Sequence, residues 1–133
     1  MKTKAYLTLA DVKRIGAACE AEAVKNNWEV AIAITDDGGH LLWHERMDGA
    51  RPANAEIAIL KSHSAAINRR PTKHREDMIL GGRVSILKMP GLPVQGGVPI
   101  IFEGQCIGAI GVSGVLSEQD TQIAQAGIAA LLS

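Results

Sequence analysis

Four histidines, two neighbouring arginines and a set of glycines are the residues of this 133-residue chain best placed to do chemistry. The imidazoles are His40, His44, His63 and His74. No HExxH or other metal-ligand spacing joins them. His63 has Ile59, Leu60, Ala66 and Ile67 three and four residues away, so no acid or second histidine stands beside it on a helix. Any single histidine is more simply a surface or packed residue. His44 and His63 are the better ligand candidates, because a strand face and a helix face could turn both toward one cavity.

The second group is Arg46-Met47-Asp48-Gly49-Ala50-Arg51-Pro52, which runs into a helical segment. Arginine forks and the free N–H groups of a helix start both favour carboxylate or phosphate. Arg46 and Arg51 could therefore clamp an acid, with His44 or Glu56 moving a proton. Glu56 is placed in the first helical turn, where its charge suits the dipole. The plainer reading is an Arg46–Asp48 or Arg51–Glu56 ion pair that pins the loop. Both readings stay open on residues alone.

The third group is Gly96-Gly97 together with Gly108, Gly111, Ser113 and Gly114. Glycine inside a strand marks the close approach of a ligand or of another backbone. The GxGxxG order is missing and the region reads as antiparallel, which discounts a dinucleotide site. Ser113 sits in V-S-G rather than in a G-x-S-x-G elbow, so a serine hydrolase is unsupported. Cys19 and Cys106 lie far apart with no CxxC, which predicts two reduced thiols in a cytoplasmic protein and no metal site.

These residues need elements to position them. Apolar spacings of three and four predict a helix over 8–26, with Thr8 and Asp11 as cap and acid. EVAIAIT over 29–35 predicts a strand covered on both faces. Asp36-Asp37-Gly38-Gly39 is a turn signal, and 40–46 is the return strand of a hairpin. There Leu42, His44 and Arg46 share one face and Leu41, Trp43 and Glu45 the other. A second helix is expected over 53–68, ended before Pro71, and a short third one over 72–80. The glycine- and proline-rich stretch 81–98 is expected to hold one short strand near 83–87. Strands follow over 98–102 and 106–112. The last helix starts from Ser117 and Asp120 as cap and acid, with Ile123, Ala126, Gly127, Ala130 and Leu131 inward. Hairpins imply an antiparallel sheet and an α+β fold in one domain.

Composition removes whole classes. Lys and Arg number 14, Asp and Glu 14, and the aromatics are Tyr6, Trp28, Trp43 and Phe102 alone. A neutral, aromatic-poor chain lacks the basic footprint and stacking platforms of nucleic-acid binding. No apolar run approaches a membrane span, and the N-terminus carries no signal-peptide core.

Taken together, DDGGHLLWHERMDGARPANAEIAILKSHSAAI over 36–67, GGVPI over 96–100, GAIGVSG over 108–114 and EQD over 118–120 resemble the GlcG/HbpS family. The family includes the haem-binding protein HbpS and the C-terminal domain of PduO-type adenosyltransferases. The resemblance covers nearly the whole chain, 1–133. It implies a profilin-like α+β fold, with a central antiparallel sheet flanked by helices. It also implies assembly into homo-oligomers and a small-molecule ligand, with haem as the cofactor. The first helix has no histidine here, so Cys19 is its only soft donor. No two glutamates are three apart, so the surface-iron Glu-x-x-Glu of HbpS is missing. His44, His63, Cys19 and Met47 are the available donors.

Two function readings follow. One is a GlcG/HbpS-type binding protein, accessory to small-acid or cofactor metabolism, with a pocket between loop 46–52, helix 53–68 and strand 108–114. Its ligand contacts would be Arg46, Arg51, His63, Gly96, Gly97, Gly111, Ser113 and Gly114. The other is an enzyme acting on a small carboxylic acid held by Arg46 or Arg51. A blander account is an accessory subunit that docks on an enzyme.

Overall fold

Thr8 opens the first helix. Its hydroxyl accepts from the Asp11 N–H at 3.2 Å while the Asp11 carboxylate accepts from the Thr8 N–H at 2.9 Å, a reciprocal cap. The computed structural model describes residues 1–133. Its order is α1 (Leu9–Lys25), β1 (Ala31–Asp36), β2 (Leu41–Arg46), α2 (Pro52–Asn68), α3 (Thr72–Leu80), a 3-10 turn (Val84–Lys88), β3 (Gly97–Phe102), β4 (Gln105–Ser113) and α4 (Ser117–Leu132).

The four strands form one antiparallel sheet in the order β2-β1-β4-β3. The α+β architecture expected from the hairpins is the one observed. Central β1 is buried on both sides, as its unbroken apolar run requires. On one face Ile32, Ile34, Ile110 and Val112 meet Val12, Ile15 and Cys19 of α1 and Ile123 of α4. Each fully buried Ile there contributes roughly 1.5–3 kcal/mol. On the other face α2 lies alone over β1, β4 and β3, against alanines and glycines rather than large side chains. Pro99 is tolerated in β3 because β3 is an edge strand.

The short strand expected near 83–87 is instead the 3-10 turn Val84–Lys88. A strand needs a ladder partner. Here the Arg83 N–H reaches the Met78 carbonyl at 3.0 Å and the Met89 N–H the Ile86 carbonyl at 3.0 Å, so local bonds satisfy the backbone. Only Ile86 of this turn is buried. The start of α4 also differs. Leu116, not Ser117, is the N-cap residue, and its N–H donates to Gln119 Oε1 at 3.2 Å. Asp120 turns inward rather than capping. Ile123 and Gly127 of α4 are buried as expected, together with Ala124.

Candidate functional site

The hairpin sets the first positions. In β2, His44 stands opposite Ala33 and Arg46 opposite Ala31, on the sheet face that α2 covers. Leu42, expected on that face, is not there: the β1–β2 register slips between Ile34 and Thr35, the bulge at Leu42 breaks the alternation, and Leu42 lines a hollow with Thr8, Leu9 and Val12 on the α1 side. β2 is an edge strand, and Leu42 is 39% exposed beside it. His44 Nε2 is buried and has no hydrogen-bond partner. A buried imidazole nitrogen without a partner is costly, and it leaves a donor or acceptor free for a ligand. Arg46 is exposed at the end of the strand. One strand face thus presents an unpartnered imidazole and a guanidinium two residues apart.

Helix α2 brings the rest. Arg51 is its N-cap residue and Pro52 its first, a position proline suits because its missing N–H is not needed. The Arg51 side chain is exposed and caps nothing. Glu56 lies beyond the first turn and is exposed, since the helix starts at Pro52. Neither the Arg46–Asp48 nor the Arg51–Glu56 ion pair forms; the ion pairs are Lys4–Asp37, Arg14–Asp11, Lys25–Glu22, Lys61–Asp120 and Lys73–Asp77. None of the four principal cavities is lined by Arg46, Arg51, His44 or His63. The His63 ring Nδ1 donates to the Gly39 carbonyl at 2.9 Å, which ties α2 to the hairpin turn and fixes the proton on Nδ1. His63 Nε2 is left as the nitrogen with a free lone pair.

The glycines have a different role from the one their spacing suggested. A Cβ on Gly111 would collide with the Ala58 carbonyl and the Ser62 N–H of α2. A Cβ on Gly97 would collide with the Lys61 carbonyl, and one on Gly96 would come within 2.6 Å of Lys61 Nζ. Gly114, at φ +152°, would meet the Glu29 carbonyl at 2.7 Å. The close approach is that of the α2 backbone and of neighbouring chain, and the space between loop 46–52, α2 and β4 is filled. Ser113 belongs to the same seam, donating to Asn54 Oδ1 at 3.1 Å.

That seam holds polar groups the sequence reading passed over. Lys61, 2% exposed, donates to the Val112 carbonyl at 2.9 Å and to Asp120 Oδ2 at 3.1 Å. Burial raises the Asp120 pKa against the opposing pull of Lys61. Ser62 Oγ donates to the Ala109 carbonyl at 2.9 Å, so the Thr35 hydroxyl, 2.9 Å away, must be the donor to Ser62. The available signal was Lys61-Ser62 on the inward face of a helix whose Leu60 points out. Cys19 is fully buried, and burial first, then the charge of Glu45, pushes its thiol up to about 12. It lines none of the four principal cavities.

A sequence model of the family described as haem degrading protein HbpS-like matches residues 7–129. The chain belongs to the HbpS-like family. It is 48% identical to the protein GlcG of Escherichia coli K12 over 114 residues, 85% of each chain. Its fold matches the crystal structure of the Klebsiella pneumoniae protein ORFY with a TM-score of 0.90 at 30% identity, covering 99% of this chain and 95% of that one. It also matches the structure of a PduOC–haem complex with a TM-score of 0.85 at 29% identity, covering 95% of each. No helix is long and apolar enough to cross a membrane.

Proposed function

We propose that this HbpS-like chain is a cytoplasmic small-molecule-binding domain whose ligand is haem, held against the His44–Arg46 face of β2 and completed by a second copy. The single observation that carries the reading is His44 Nε2, buried and without a hydrogen-bond partner beside an unpaired sheet edge. Haem asks for an axial donor, an apolar surface and cations for its propionates. His44 and Arg46 answer the first and the last of those needs, and the second copy would supply the apolar wall. Cys19 does not fit, since it is fully buried in the core beneath α1 and α4. Met47 is packed against the core. His63 keeps one nitrogen on the Gly39 carbonyl and is the second choice.

A homo-oligomer is part of the reading, because neither histidine opens into a cavity of the single chain. Support also comes from a relative of matching fold whose structure is a haem complex. The protein's share of the work is to hold and orient the haem, and any redox chemistry would be the iron's.

Hemin titration tests this. The expected result is a sharp Soret band that saturates at one haem per chain and is lost in His44→Ala but kept in His63→Ala. Native mass spectrometry should show haem in an oligomer. A broad spectrum that never saturates rejects haem as the ligand, and an unchanged band in His44→Ala rejects the proposed donor.

A further inference from the structure

The chain is neutral overall, with 14 basic and 14 acidic residues, yet its arginines are not spread evenly. Arg70, Arg75 and Arg83 all line one cavity of about 180 Å³. It lies where the end of α2, helix α3, the 3-10 turn Val84–Lys88 and loop 89–92 converge. No acidic side chain lines it. Met78, Ile86, Met89 and Leu92 form its apolar wall.

The backbone builds this hollow deliberately. Arg69 ends α2 in the left-handed region at φ 57°, which turns the chain so that Arg70 faces α3. Gly91, at φ +118°, folds loop 89–92 back onto Ser64 and Asn68, and the Leu92 N–H donates to Ser64 Oγ at 2.6 Å. Arg75 is spent on the wall: its guanidinium donates to the Pro90 carbonyl at 2.8 Å and to Asn68 Oδ1 at 2.8 Å. Arg70 donates to His74 Nε2 at 3.0 Å, so that nitrogen carries no proton. Arg83 makes no ion pair and is exposed at the rim. Of the two acids on α3, Asp77 is paired with Lys73 at 2.7 Å, and neither it nor Glu76 lines the cavity.

We propose that this cavity is a second binding site, for a small organic carboxylate with an apolar body, clamped by Arg70 and Arg83 and walled by Met78 and Met89. Guanidinium forks match a carboxylate in shape and charge. Like charges gathered without an acid repel one another, and an anion relieves that repulsion. The apolar wall favours a hydrocarbon body over a fully polar anion such as phosphate. The site is separate from the β2 face assigned to haem and does not depend on that assignment.

Isothermal titration of the full chain with benzoate, with hexanoate and with inorganic phosphate decides the matter. Benzoate or hexanoate should bind saturably, with a dissociation constant of roughly 1 mM or tighter. Phosphate should bind at least about tenfold more weakly. Arg70→Ala and Arg83→Ala should each weaken the carboxylate about tenfold, the value of a charge-assisted hydrogen bond. Met89→Ala should weaken hexanoate, and Lys13→Ala, exposed on α1 and outside the cavity, should change nothing. Circular dichroism should show every variant folded; Arg83→Lys, which keeps the charge and loses the fork, should bind more weakly than wild type. Phosphate binding as tight as benzoate overturns the ligand class. No saturable carboxylate, or equal loss in Lys13→Ala and Arg83→Ala, overturns the site.

Discussion

Lys61 Nζ lies 3.1 Å from Asp120 Oδ2, and each side chain is only 3% exposed. The pair joins α2 to the start of α4 through the edge of the sheet, with the Val112 carbonyl and the Val115 N–H as its further partners at 2.9 and 3.2 Å. Two buried charges with satisfied hydrogen bonds gain little net stability, but removing one leaves the other uncompensated. Lys61→Met should therefore destabilise the fold by about 3–5 kcal/mol. Lys61→Met combined with Asp120→Asn should recover at least half of that loss, since the amide oxygen still accepts from Val115. Urea denaturation of the three proteins measures both values.

Gly111 offers a second test. A methyl there meets the Ala58 carbonyl and Ser62 N–H of α2, both backbone groups that cannot swing away. Gly111→Ala should cost about 1–3 kcal/mol or more by overpacking. Gly104→Ala is the control: φ is +76° and nothing lies within 4 Å of its Cβ, so only the left-handed backbone penalty of about 1–2 kcal/mol applies. Thermal melts should rank Gly111→Ala below Gly104→Ala. Equal melting temperatures would mean that α2 can lift off the sheet.

Glu45, across the sheet from α2, sets a pH dependence. Burial first, then a hydrogen bond and the charge of Glu20 on α1, raise its pKa from 4.5 to about 7. In that window the folded chain holds a proton that the unfolded chain has released. Stability from this group therefore falls as pH rises from about 4.5 to 7, and stays lower above it. Glu45→Gln should raise the melting temperature at about pH 8 and leave it unchanged at about pH 4. A gain of the same size at both values would show that the effect is not ionisation.

The two thiols should separate kinetically. Cys19 is buried with its pKa pushed up to about 12, whereas Cys106 is half-buried and donates to the Gly108 carbonyl at 3.4 Å. An aromatic disulfide reagent should titrate one thiol in the native protein and both after denaturation. In Cys106→Ser the native reaction should vanish, and in Cys19→Ser it should persist. Fast native labelling of Cys106→Ser would mean that the α1–α4 face opens readily.

Much of this protein is written in its residue order. The reciprocal cap of Thr8 and Asp11, the Asp-Asp-Gly-Gly turn and the two-sided apolar run of β1 follow from local chemistry and periodicity. The hairpin alternation likewise put His44 and Arg46 on one face before any packing was known. The sequence also carried the family, because several motifs recur together at fixed separations. Only the tertiary structure decided what the glycines and inward polar residues do. Gly111 marks a close approach, but the helix that makes it lies 49 residues earlier in the chain at Ser62. Asp120 has the spacing of a capping acid, yet it serves a lysine 59 residues away. The arginine cavity was hidden for the same reason: Arg70, Arg75 and Arg83 become neighbours only when α2 stops, α3 turns and loop 89–92 folds back. Spacing along a chain reports contacts within one element. Contacts between elements depend on how far each backbone can approach another, and that is settled by packing.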